Sequence, residues 1–116
     1  MREQIETYWR DFATIANAIP YAALTRVAEA LLECQRDDRT IFVLGNGGSA
    51  ATASHCACDL AKGTQTPGQR PFRVIPLTDN VPLLTAWGND SSYERVFAEQ
   101  LATLVRDRDV VVLISA

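Results

Sequence analysis

Residues 42–55 read FVLGNGGSAATASH, and this stretch decides the fold. An apolar run stops at Gly45. Asn46, Gly47 and Gly48 follow, and Ser49 then opens an Ala-rich segment. Residues 40–44 (TIFVL) are short, apolar and β-branched, the pattern of a strand buried on both faces in a parallel sheet. Residues 49–62 carry helix formers and stop at Gly63, which fits a helix C′ position. The stretch therefore predicts strand, glycine loop, helix.

Glycines in such a loop let the backbone turn sharply and approach a ligand closely. The helix behind it offers unpaired N–H groups and the positive end of its dipole. Together these make an anion site, most often for phosphate. Ser49 adds a hydroxyl and Asn46 an amide. A Walker loop needs GK[ST] at its end, and no lysine is there. The dinucleotide fingerprint would be residues 45–50, with Ala50 in its last place, which the looser form allows. Its acidic residue would have to be Asp79, farther along the chain than that motif expects. A sugar-phosphate loop and a plain tight turn remain beside it.

Outward from the loop, the chain alternates helices and strands. Residues 3–19 place Ile5, Tyr8, Trp9, Phe12, Ile15 and Ile19 at helical spacing, and residues 21–36 repeat the pattern. Residues 73–77 (RVIPL) predict a second strand with Pro76 near its end, because proline cannot donate to the ladder. Asp79 and Pro82 predict a helix start, and residues 88–90 (Gly-Asn-Asp) a break. Residues 91–94 (SSYE) fit a capping box for the next helix. Residues 110–115 (VVVLIS) form the clearest strand. The order α, α, β, α, β, α, α, β implies a parallel sheet with right-handed crossovers.

Composition narrows the function classes. The 116 residues suit one domain, with 47% hydrophobic and 22% charged residues. Net charge is −3 and the basic residues form no run, which argues against nucleic acid or an anionic membrane as main partner. The N-terminus lacks a signal-peptide core, so a cytoplasmic protein is expected. The three cysteines, Cys34, Cys56 and Cys58, form no disulfide framework and are expected as buried small hydrophobes. The stripe Trp9, Phe12, Ile15 and Ile19 predicts that residues 1–37 pack on another subunit. The sheet would keep an open edge after its third strand, so we expect the chain to be the first part of a larger domain.

His55, the only histidine, and Asp59 lie four apart on the helix behind the loop and so share a face. Such a pair can share a divalent metal or move protons at a carbonyl compound. A simple surface hydrogen bond is the alternative. Asn89 and Asp90 form a third polar cluster, either a self-bonded turn or a contact to sugar hydroxyls.

Four segments, FVLGNGGSAATASHCACDL, LTDNVPLLTAWGND, YERVFAEQL and RDVVVLIS, occur in this order and together resemble the SIS (sugar isomerase) domain, nearest its phosphoheptose isomerase branch. The resemblance implies a flavodoxin-like α/β fold with a parallel sheet of five strands. It also implies a phosphosugar substrate such as sedoheptulose 7-phosphate, and homotetramers with active sites shared between subunits. It implies substrate contacts at Asn46, Gly47, Gly48, Asn89 and Asp90 and a phosphate contact at Ser49. Ser115 matches the start of a further Ser/Thr-rich phosphate loop in the family. His55 matches a zinc ligand. Asp59 stands where the family has a Glu that is both zinc ligand and acid/base. Asp is one methylene shorter and reaches about 1.5 Å less far. Misplacement of roughly 1 Å can cost about a hundredfold in rate. Some family members lack this acid and act as regulators of replication initiation, binding a protein. The later Gln and His that complete the family's metal site have no match in these residues.

Overall fold

The computed structural model describes all residues, 1–116. Its elements are α1 (Arg2–Asn17), α2 (Tyr21–Arg36), β1 (Thr40–Gly45), α3 (Gly48–Cys58), β2 (Arg73–Pro76), α4 (Val81–Asp90), α5 (Val96–Leu104) and β3 (Val110–Ile114). The strands form one parallel sheet in the order β2-β1-β3. This is the α/β architecture expected from the alternation of strand and helix patterns.

β1 is the central strand, and all six of its residues are buried. Its alternate side chains feed two cores. Ile41 and Val43 meet Cys34 of α2 and Ala53 of α3, with Val74, Val112 and Ile114 alongside. Phe42 and Leu44 meet Leu77 on the opposite face, covered by Phe97 and Leu101 of α5. Helices thus lie on both faces of the sheet. Ala53 and Ala57, both buried, let α3 come close to β1.

β3 is less covered. Val111 and Leu113 pair with Phe42 and Leu44 in register, yet Leu113 is 69% exposed. Pro76 is the last residue of β2, where its missing N–H costs no ladder bond. Leu77 then carries the ladder one step on, its N–H donating to the Val43 carbonyl at 2.9 Å.

Several local expectations are corrected. The helix behind the loop runs as far as foreseen, but Asp59–Gly63 is a π-helical turn. Gly63 is therefore inside a helical segment and has no left-handed conformation; Thr64 is the capping residue. Gly88, Asn89 and Asp90 do not break α4. The Ser91 N–H still reaches the Trp87 carbonyl at 3.0 Å, and the chain turns away at Ser91. Exposed Asn89 and Asp90 bond to each other and so do not compete for the helix backbone. Asn80, not Asp79, caps α4, its side chain accepting the Leu83 N–H at 3.1 Å. The capping box does not form either. Tyr93–Arg95 is a 3₁₀ turn in which the Ser92 carbonyl, not its hydroxyl, takes the Arg95 N–H.

Cysteine burial is mixed. Cys34 is fully buried, Cys56 partly so, and Cys58 is exposed because it falls on the solvent side of α3. Burial pushes the Cys34 thiol above its ordinary pKa, against a weaker opposing pull from Arg39. No helix is long and apolar enough to cross a membrane.

Candidate functional site

The glycine loop begins where β1, β3 and α3 converge. A Cβ on Gly45 would stand 2.8 Å from the Ile114 carbonyl oxygen and 2.8 Å from the Ser49 carbonyl group. Only glycine lets the strand end and the helix start sit this close. Gly47 has φ +56° and ψ −122°, a conformation that side chains resist, and it is the N-cap of α3. The first turn is tight: Ser49 N–H bonds the Asn46 carbonyl at 3.0 Å, and Ala50 N–H the Gly47 carbonyl at 3.1 Å.

The loop opens into a cleft at the carboxyl ends of β1 and β3. Asn46, Gly48, Ser49 and Thr52 line one side, and Leu113, Ile114, Ser115 and Ala116 the other. In open α/β sheets this end of the strands is where ligands bind. The N-terminus of α3 borders this cleft, and the positive end of its dipole favours negative charge there. Four of the residues expected from sequence, Asn46, Gly48, Ser49 and Ser115, thus meet in one place. Gly47 shapes the loop without lining the cleft.

His55 and Asp59 lie along the same helix. His55 Nε2 is 3.3 Å from Asp59 Oδ2, and the side chains are 79% and 67% exposed. An exposed pair of this kind contributes at most about 1 kcal/mol to stability. The two residues border a shallow hollow with Ala51, Thr52, Cys56 and Leu60. Thr52 belongs to both the cleft and the hollow, so it joins them. No group of three or more His, Cys, Asp or Glu side chains is placed to hold a metal. Catalytic zinc commonly takes three protein donors, and this chain brings two together.

Asn89 and Asp90 stand apart from the cleft at the end of α4, where Asn89 Nδ2 donates to Asp90 Oδ1 at 2.8 Å. Their region touches the loop through Tyr93, whose hydroxyl donates to Asn46 Oδ1 at 2.8 Å. A second bridge ties α3 to the end of β2. Ser54 donates to Asp79 Oδ1, which also accepts from the Thr78 hydroxyl at 3.0 Å. The sequence reading missed Thr52, Tyr93 and Ser54. Thr52 was within reach, since Ser49, Thr52, His55 and Asp59 follow helical spacing. Tyr93 read as one more apolar position, because nothing local tells which residue a phenol meets 47 positions away.

The SIS domain family matches residues 7–116. The chain belongs to that family. It is 35% identical over 113 residues to phosphoheptose isomerase 1 of Campylobacter jejuni, covering 96% of this chain and 60% of that protein. A shorter match, 47% identical over 73 residues, is to the lincomycin biosynthesis protein LmbN of Streptomyces lincolnensis; it covers 63% of this chain and 26% of that protein. The structure of phosphoheptose isomerase GmhA from Neisseria gonorrhoeae superposes with a TM-score of 0.86 at 31% identity, over 99% of this chain and 60% of that one. A phosphoheptose isomerase from Francisella tularensis gives 0.85 at 30% identity, over 98% of this chain and 61% of that one. The chain thus spans about three-fifths of the phosphoheptose isomerases it matches, and resembles their structures over that span.

Proposed function

We propose that this SIS-domain chain binds a phosphosugar and forms the N-terminal part of an aldose–ketose isomerase acting on sedoheptulose 7-phosphate or a similar sugar. The cleft is the observation that carries this reading. Asn46, Gly48 and Ser49 converge with Ser115 at the strand ends, in front of a helix N-terminus. Such a site suits the phosphate end of the substrate.

The chemistry needs a base that takes the proton beside the carbonyl and returns it to the neighbouring carbon through an enediol. Asp59 is our candidate base, with His55 as its partner. They stand on the helix that follows the loop, about one and two turns beyond Thr52. A zinc ion held at this position would supply Lewis-acid polarisation of the substrate carbonyl. Here His55 and Asp59 supply two donors. The set is incomplete in these residues, so no step of the reaction is assigned to a metal. A zinc ion at His55 and Asp59 would require a further donor from elsewhere in the assembly. The exposed apolar stripe on α1 supports self-association, with a homotetramer as the proposed state.

A second reading is a non-catalytic module that binds a phosphosugar or a protein. Asp59 in place of a longer Glu favours it, and so does the high exposure of the His55–Asp59 pair. The two readings separate in the longest protein that carries this chain. Ser49→Ala and Asp59→Ala should each lower isomerase activity by at least about tenfold, since small misplacements of reacting groups are costly. Unchanged activity in both variants would remove the site assignment. Phosphosugar binding by calorimetry without turnover in the wild type would select the second reading.

A further inference from the structure

We infer that Tyr93 is a positioning residue for the cleft, acting through Asn46. This role rests on the phosphosugar reading of the cleft and adds to it a residue outside the loop. Tyr93 belongs to the short 3₁₀ turn before α5, far from the loop in sequence. Its hydroxyl donates to Asn46 Oδ1 at 2.8 Å.

The bond has a chemical consequence. A side-chain amide has one accepting end and one donating end, and either can face a ligand. The phenol engages the oxygen of Asn46. The amide nitrogen takes no part in that bond and keeps both protons for another acceptor. Asn46 lines the cleft, and with its oxygen engaged the amide N–H groups are what it has to offer a ligand there, the polarity that phosphate and sugar oxygens require. Without the hydroxyl the amide could rotate and offer its oxygen, which would repel the same ligand atoms. The bond also links the loop after β1 to the segment following Asn89 and Asp90. A cleft-lining residue is thereby tied to a segment that arises from a different crossover.

Tyr93 is 64% exposed, so Tyr93→Phe keeps the ring and removes only the hydroxyl without opening a core cavity. The test is a double-mutant cycle on sedoheptulose 7-phosphate affinity by calorimetry, using wild type, Tyr93→Phe, Asn46→Ala and the double variant. The hydroxyl's loss should weaken binding about fivefold, the equivalent of one ordinary hydrogen bond. In the Asn46→Ala background the same change should have no further effect, because the group it orients is gone. Thermal midpoints of wild type and Tyr93→Phe should agree. Unchanged affinity in Tyr93→Phe, or equal losses in both backgrounds, would overturn the role. A wild type that binds no phosphosugar overturns the reading of the cleft itself and this role with it; that outcome is visible before any variant is compared.

Discussion

Gly45 and Ile114 are in register across β1 and β3, and a methyl on Gly45 would stand 2.8 Å from the Ile114 carbonyl oxygen. The same methyl would meet the Ser49 carbonyl group at 2.8 Å. Both obstacles are backbone, one in the sheet and one in the first turn of α3, so neither can swing aside. Gly45→Ala should therefore destabilise the fold by about 1–3 kcal/mol, the usual range for overpacking. It should also move the glycine loop and weaken phosphosugar binding. Gly63 is the control. Its added Cβ would meet nothing within 4 Å and its φ is not positive. Gly63→Ala should be neutral or stabilise by roughly 0.4–1 kcal/mol through the unfolded chain. Urea denaturation of both variants checks this, and equal midpoints would contradict the steric argument.

The loop was legible in the sequence for the same reason that Gly45 cannot be replaced. A run of glycines between an apolar stretch and a helix has few physical explanations, and each puts backbone close to something. Strand β1 was legible because a strand buried on both faces needs an uninterrupted apolar run. What could not be read was set by contacts distant in sequence or by competition among near-equal local options. The Gly-Asn-Asp segment reads as a breaker by propensity, yet the backbone bond from Ser91 to Trp87 holds it helical. The SSYE segment has the residues of a capping box, but the 3₁₀ turn uses the Ser92 carbonyl instead. His55 and Asp59 came together as helical spacing demands. Their exposure depends on what packs over α3, which spacing does not encode.

Gln100 is the clearest buried residue that polarity hid. It is 2% exposed, and its Nε2 donates to the Leu77 carbonyl at 3.2 Å and to the Val96 carbonyl at 3.0 Å. The first bond joins α5 to the chain just beyond β2, beside Phe42 and Leu44. Gln100→Ala removes the donor and should cost about 1–3 kcal/mol, the penalty for leaving a buried carbonyl unpaired. Gln100→Glu should cost more near neutral pH, because a carboxylate would face two carbonyl oxygens away from water. Chemical denaturation of the two variants measures the difference. A Glu variant as stable as wild type would mean that water reaches this position.

Helix α1 poses the opposite problem, with apolar residues that nothing in the chain covers. It has no buried residue, although Tyr8, Trp9, Phe12 and Ile15 share one side of it. Trp9 stacks edge to face with Tyr8 at 5.7 Å and with Phe12 at 5.8 Å, so the aromatic groups form a continuous patch. At 16 residues, α1 is near the length at which an isolated helix is marginal in water. Burying such side chains against a second copy contributes about 1.5–3 kcal/mol each. Self-association would therefore both cover the patch and hold the helix. Replacing Trp9 and Phe12 together by Glu should lower the molar mass in light scattering to that of one chain at micromolar concentration. Helical circular dichroism should fall at the same time, because α1 loses its support, while the α/β core keeps its cooperative unfolding. A wild type that is already monomeric, or a double variant with the wild-type mass, would show that α1 does not mediate association.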